Sequence, residues 1–250
     1  MMIQISNLTK NFGRNTVLEQ INLTVEKGQV YSLLGKNGAG KTTLINLMLD
    51  LLKPDSGTVQ LLGKESSQLN PSDKLKMGIV GEDMALIEEF TGFEYLIFIG
   101  KIYQIPTATL KKRIADLFLY FFEDEKDLRK LISKYSTGMK KKLAFCGAIL
   151  HTPDLLILDE PFSGLDPLVA SQMVLFLKKY HNQNRTIFIS SHDLSYVEKV
   201  STHIGVLDQT RLVYNATLQE FTSDGARELD AALLKILKPN ENELEKIDWL

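Results

Sequence analysis

The stretch Gly35-Lys36-Asn37-Gly38-Ala39-Gly40-Lys41-Thr42-Thr43 has the composition of a phosphate cradle. Its glycines let the backbone curl so that successive N–H groups converge on one point. A following helix turns the positive end of its dipole to that point. Lys41 adds an ammonium within reach of the outer phosphates of a nucleoside triphosphate, and the Thr42 hydroxyl suits Mg²⁺. A second chemical pair stands at Asp159-Glu160, behind the apolar run Leu155-Leu156-Ile157-Leu158. A buried strand of this kind delivers its last residues to the sheet edge where ligands bind. Asp159 can there position Mg²⁺, directly or through water. Glu160 can accept a hydrogen bond from an attacking water and serve as general base.

These groups need a scaffold that brings distant parts of the chain to one edge. Val30 to Leu34 reads as a mostly apolar strand feeding the cradle, and Leu44 to Leu52 as the helix leaving it. Lys53-Pro54-Asp55-Ser56-Gly57 carries the turn chemistry expected to end that helix. Residues 2–8 and 21–26 alternate apolar and polar side chains, the pattern of half-buried strands, with a turn at Glu26-Lys27-Gly28. Thr58 to Leu62 and Met77 to Val80 are further strands. Between about residues 86 and 150 helical patterns take over, at Phe93 to Tyr103, Leu110 to Phe122 and Gly138 to Leu150. Strands return at Leu155 to Leu158 and Thr186 to Ser190, with a closing hairpin at Ile204 to Leu207 and Leu212 to Tyr214. A tail with one apolar helix, Leu229 to Leu237, follows; Pro239-Asn240-Glu241-Asn242 breaks it, and the end is acidic with Trp249. Strands and helices alternating around a phosphate loop predict an α/β core.

Composition narrows the class. Charged residues make up 24% and hydrophobic ones 44% of 250 positions, the balance of an ordinary globular protein. A net charge of −2 gives no electrostatic reason to expect nucleic acid as partner. The single cysteine, Cys146, leaves no intrachain disulfide and no cysteine-cluster metal site, which fits a reducing compartment. No apolar run has the length of a membrane span, and Met1 to Ser6 lacks a signal-peptide pattern, so a cytoplasmic chain is expected.

Just before the last inserted helix comes Tyr135-Ser136-Thr137-Gly138-Met139. Here the sequence resembles the nucleotide-binding subunit of an ATP-binding-cassette (ABC) transporter, over residues 2 to about 215. The family's signature has the form Leu-Ser-Gly-Gly-Gln; this chain keeps Ser136 and Gly138 and departs at Tyr135, Thr137 and Met139. Ser136 or Thr137 can cap the helix, and Gly138 leaves N–H groups open to an anion. The resemblance implies a P-loop NTPase (RecA-like) core with an N-terminal antiparallel β-subdomain and an α-helical subdomain inserted at about 86–150. Residues 1–215 would form the ATP-binding domain and 216–250 a short tail. It further implies that the Ser136 and Gly138 surface closes over the γ-phosphate of an ATP held by the opposite subunit.

Other motifs follow in the family's order. Phe12 stands where an aromatic stacks on adenine. Ser163-Gly164-Leu165-Asp166 looks like the D-loop that links two composite sites. Ser190-Ser191-His192-Asp193 looks like the switch loop, whose His192 would contact the γ-phosphate and orient Glu160 and water. Glu82, in Gly78-Ile79-Val80-Gly81-Glu82-Asp83, falls where the family usually carries a Gln that ligates Mg²⁺. A carboxylate can still ligate the ion but adds negative charge near the phosphates. Glu82 and the short tail resemble exporter branches.

The implied function is an ATPase subunit that powers transport, in the direction of export, across a membrane. ATP and Mg²⁺ are the implied cofactors. A second nucleotide-binding subunit and separate transmembrane permease subunits are the implied partners, which would hold the chain at the cytoplasmic face of the cell membrane. A soluble ABC ATPase driving complex assembly, of the iron–sulfur-assembly type, is the alternative, and a regulatory module that binds ATP without turnover is a third reading. Bland readings attach to the rest. Lys140-Lys141-Lys142 reads as a solvated helix face, Cys146 as a small core residue, and His151, His181 and His203 have no evident partners. Leu117 to Phe122 reads as core by default. The sharper reading joins part of it with Phe93, Tyr95 and Phe98 in a groove for a short helix of a membrane subunit.

Overall fold

The computed structural model describes residues 1–82, 84–122, 124–222 and 228–237. The chain opens with a hairpin of β1 (Ile3–Phe12) and β2 (Asn15–Val25). β3 (Val30–Leu34) leads through the cradle into α1 (Lys41–Met48). β4 (Ser56–Leu61), β5 (Lys64–Glu65), the short α2 (Pro71–Lys74) and β6 (Met77–Val80) follow. Three helices come next: α3 (Gly92–Ile102), α4 (Thr107–Phe121) and α5 (Thr137–Ile149). The chain returns to the sheet with β7 (Leu155–Asp159), α6 (Pro167–Tyr180), β8 (Thr186–Ser191), α7 (Leu194–Val200) and β9 (His203–Asp208). β10 (Arg211–Thr217), α8 (Leu218–Phe221) and α9 (Leu229–Leu237) close the described chain.

Two sheets form. The first is antiparallel, in the order β2-β1-β4-β5. The second has the order β10-β9-β3-β8-β7-β6 and is parallel except for β10. Its central strands β3, β7 and β8 are buried along their whole length, as a parallel sheet covered on both faces requires. Alternation along these strands feeds two different cores. Leu156, Leu158, Ile187 and Ile189 face the layer shared with α3 to α6. Leu155, Ile157 and Phe188 face the layer shared with α1 and the antiparallel sheet. Because successive side chains of a strand point to opposite faces, the sheet is a partition with a helical side and a β side.

The inserted helices are anchored to the helical side rather than hung from it. Thr91 and Glu94 form a capping box at the start of α3, which satisfies two orphan donors at once. Phe118 and Phe121 of α4 are buried in the same core as Phe145 and Cys146 of α5. Cys146 is inert packing, its thiol pushed up to about 12 by burial. Among the described residues no helix is long and apolar enough to cross a membrane.

Several boundaries differ from those the sequence suggests. The first helix starts earlier, at Lys41, and ends at Met48 rather than Leu52, because Asp50 takes a left-handed φ of 58°. Ser56 and Gly57 consequently open β4 instead of ending a helix. β1, β2 and β10 are longer than their apolar patterns, since edge residues pair through backbone groups whatever their polarity. The expected tail helix matches α9, while residues 239–242 and Trp249 lie outside the described residues, as does Asp83.

Candidate active site

The cradle forms where β3 ends against β9. A Cβ on Gly35 would lie 2.6 Å from the Leu207 carbonyl oxygen, so only glycine lets the chain turn there. Gly40 takes φ 104°, a left-handed region that disfavours side chains, and it sits against Val17 and Leu18 of β2. α1 starts at the next residue, so the cradle's N–H groups and the helix's free N–H groups meet. Lys41 is buried, and its ammonium donates to the carbonyls of Gly35 (2.7 Å) and Lys36 (3.3 Å). It also makes an ion pair with Glu160 Oε1 at 3.0 Å.

Parallel pairing sets the other side of the site. The register of β7 on β8 puts Asp159 beside Ser190. Ser190 Oγ donates to Asp159 Oδ1 and accepts the Glu160 N–H at 3.0 Å. That N–H also donates to the Ser190 carbonyl at 3.2 Å. The serine therefore holds the backbone of one carboxylate residue and the side chain of the other. Glu160 has φ 48°, an uncommon conformation for a side-chain-bearing residue. Its second oxygen, Oε2, lies 2.8 Å from Nδ1 of His192; a carboxylate accepts, so the proton of this contact belongs on Nδ1. Thr42 Oγ1 donates to Glu82 Oε2 at 3.4 Å across the cradle's far side. A cleft of about 470 Å³ starts at Thr42, Glu82 and Asp159 and runs out past Tyr95 and Tyr103.

A cradle at a helix N-terminus, an ammonium, a carboxylate and an imidazole on one sheet edge suit hydrolysis of a phosphoanhydride. Comparison with known proteins agrees. The family model described as ABC transporter matches residues 18–163. The chain belongs to the ABC transporter family. The bacitracin transport ATP-binding protein BcrA of Enterococcus faecalis is 41% identical over 88% of this chain and 70% of its own length. The linearmycin resistance ATP-binding protein LnrL of Bacillus subtilis (strain 168) is 33% identical over 89% of this chain and 71% of its own. A solved ATP-binding subunit of an ABC transporter, 26% identical, superposes with a TM-score of 0.84 over 95% of this chain and 100% of that one. The fold is thus the ABC ATPase cassette, of the exporter-like branch, and its reaction is ATP hydrolysis.

Within the cassette the expected site residues fall into two groups. Lys41 and His192 each contact Glu160, and Thr42, Glu82 and Asp159 border one cleft. Phe12 is 48% exposed at the end of β1, with the Lys10 ammonium 5.4 Å above its ring. That exposure places Phe12 outside the core. Ser136 caps α5, accepting the Met139 N–H at 3.2 Å, and a Cβ placed on Gly138 would lie 3.9 Å from the Leu165 side chain. Asp166 caps α6 through the Leu168 N–H at 2.8 Å. Among the described residues no hydrogen bond or ion pair joins Ser136, Gly138 or Asp166 to the cradle.

The lysine and histidine readings need correction. Lys140, Lys141 and Lys142 are not a solvated face. Lys140 pairs with Glu88, Lys142 sits 4.6 Å over the Phe122 ring, and Lys141 reaches the backbone of Glu160 and Ser163. The aromatic set divides: Phe118, Phe121 and Phe122 are buried, as the core reading has it, and Phe93 and Phe98 are exposed away from the main cleft. Tyr95 alone of that set lines it, with Met84, Leu86, Ile99 and Tyr103. The histidines do have partners. His151 contacts the Met77 carbonyl at 2.9 Å and stacks on Tyr103, His181 contacts the Gly28 carbonyl, and His203 contacts Gln29. Ser190 was legible as a strand-end residue, but its double contact follows from register and no motif signals it.

Proposed function

We propose that this cassette is one of two ATP-binding subunits that clamp two ATP molecules head to tail and drive export through separate membrane-spanning subunits. The observation that carries the reading is the division just described. One edge of the chain assembles Lys41, Glu160 and His192, while Ser136, Gly138 and Asp166 sit elsewhere. Half of a composite site is therefore complete, and the other half would come from a second copy or a homologous subunit.

In this reading Gly35, Lys36, Asn37, Gly38, Ala39, Gly40, Lys41, Thr42 and Thr43 bind the triphosphate. Lys41 leaves its carbonyl partners to meet the outer phosphates, and Phe12 stacks on adenine. Glu160 accepts the hydrogen bond of the attacking water. His192 holds that carboxylate through Nδ1 and keeps its other ring edge for the γ-phosphate. Water attacks phosphorus in line, the bond to the bridging oxygen breaks, and ADP and phosphate result. The oxygen set of Thr42, Glu82 and Asp159 fits Mg²⁺, a hard ion that takes few protein ligands and leaves the remainder to phosphate and water. When bound, the ion would neutralise charge that develops on the phosphates.

The proposed divisions are 1–215 for the ATP-binding domain, with the helical part at about 86–150, and 216–250 for the tail. The cleft beside Glu82 offers apolar walls at Tyr95, Ile99 and Met84 to a helix of the membrane subunit, which would hold the chain at the cytoplasmic face of the cell membrane. Relatives named for bacitracin transport and linearmycin resistance favour this over the complex-assembly alternative. Purification in mild detergent with the bound partners tests it. Co-purification of a polytopic membrane protein, and ATP turnover in the complex but not in strictly monomeric chain, is the expected result. A soluble scaffold as sole partner, or full turnover by the monomer, overturns it.

A further inference from the structure

Lys141 lies on α5, five residues after the Ser136 cap, and its side chain turns inward. Its ammonium donates to the carbonyl oxygen of Glu160 at 3.3 Å and to that of Ser163. Those two carbonyls bracket a tight turn, closed by the Ser163 N–H donating to the same Glu160 oxygen at 3.2 Å. Glu160 is thus held from both sides. Ser190 on β8 fixes its N–H, and Lys141 on α5 fixes its carbonyl. A non-glycine residue at a positive φ persists only where its surroundings over-determine it, and these contacts do so. Val80, Phe145 and Met173 line the narrow crevice that Lys141 shares with Asp159 and Glu160. Burial lowers the pKa of the Lys141 ammonium, while the carboxylates of Glu160, Glu82 and Asp159 pull it the other way.

We propose that Lys141 is a positioning residue that ties the signature helix α5 to the catalytic turn, so that the pose of the Glu160 carboxylate follows the position of α5. The assignment rests on the clamp reading above and deepens it. The N-terminal end of the same helix, little more than one turn from Lys141, carries Ser136 and Gly138, the surface expected to engage the ATP of the opposite subunit. Through Lys141, engagement there reaches the general base of this chain's own site in a single side chain. The turn that Lys141 holds also leads through Ser163 into Asp166, so one ammonium sets both the base and the start of the inter-site loop.

The test uses the complete chain with its co-purified partners, and Lys141→Met and Lys141→Arg variants of it. Methionine keeps the apolar stem and removes the donors; arginine keeps charge and donors. For Lys141→Met, kcat should fall by about tenfold or more while KM and equilibrium ATP binding stay within about twofold, the pattern of a lost orienting contact. Lys141→Arg should recover most of kcat. A plain structural strut would lower the melting temperature of both variants without a selective loss of kcat. Should Lys141→Met not fold, Lys141→Gln replaces it: its amide reaches one carbonyl and carries no charge, and kcat should fall with binding kept. A methionine or glutamine variant with wild-type kcat overturns the role of Lys141, and so does an equal fall in the arginine variant. Wild-type complex without ATP turnover overturns the clamp reading itself.

Discussion

The edge where α1, β7 and β8 converge and the pair of helix starts at α5 and α6 treat their polar groups in opposite ways. At the first, side chains from distant parts of the chain satisfy one another: Lys41 with Glu160, Glu160 with His192, Ser190 with Asp159. At the second, Ser136 and Asp166 satisfy only the N–H groups of their own helices. Leu168, beside Asp166, stays 65% exposed. Polar residues that close on each other across a fold describe a centre the chain can build alone. Polar residues that do no more than cap their helices at an exposed surface are available to something outside it. This contrast is what the clamp proposal uses.

The contrast can be broken or sharpened by substitution, and the largest effect belongs to the first edge. Glu160→Gln should keep ATP binding and lower hydrolysis by at least ~10²-fold, the scale of a lost general base. Near-normal phosphate release would remove Glu160 from that role. At the second edge, Ser136→Asp preserves an N-cap acceptor but sets a negative charge where a phosphate is expected. Turnover in the complex should fall at least ~10-fold through lost anion stabilisation, with the melting temperature unchanged. Full activity in that variant would erase the distinction between the two edges. A smaller effect is expected at Phe12, outside both. Phe12→Ala should weaken ATP binding by about fivefold, the equivalent of ~1 kcal/mol of stacking, and Phe12→Trp should restore it; titration with a fluorescent ATP analogue reads both.

His151 serves as the control remote from either edge. Burial lowers its pKa from 6.5 to about 4. The folded chain therefore holds the neutral ring, while the unfolded chain takes up a proton as pH falls below about 6.5. Stability present above that value is lost as pH drops toward 4, because the unfolded state then binds more protons. Denaturant melts at pH 7 and pH 5 should show a shift that His151→Phe reduces, with turnover at pH 7 little changed.

Much of this was open to a reading of residues alone, and the reasons differ by element. β3, β7 and β8 stand out because a strand buried on both faces is mostly apolar, with Ser32 interrupting β3, Asp159 ending β7, and Thr186 and Ser190-Ser191 flanking the apolar run of β8. The meeting of Lys41, Glu160 and His192 follows from strand ends at one sheet edge, so motif order suffices to anticipate it. Helix ends were harder: Asp50 stops α1 through its own backbone conformation, which no apolar pattern reports. Lys140-Lys141-Lys142 misled because identical residues suggest one environment. Consecutive residues on a helix are about 100° apart, so three in a row sweep about 200° of the surface. On α5, which packs against the core, one of the three had to turn toward protein. The aromatic set divides for a related reason, since Phe93 and Tyr95 project from different faces of α3.

The backbone at Glu160 carries a consequence for any effort to stabilise this protein. A left-handed residue costs on the order of 1 kcal/mol when it bears a Cβ, and glycine avoids most of that. The position is one where thermodynamic fitness and catalytic fitness pull apart. Screens that reward heat resistance alone will tend to accumulate small residues at such a turn, and each gain of that kind removes the carboxylate. A library built on this scaffold should therefore hold residue 160 constant and look for its stability elsewhere.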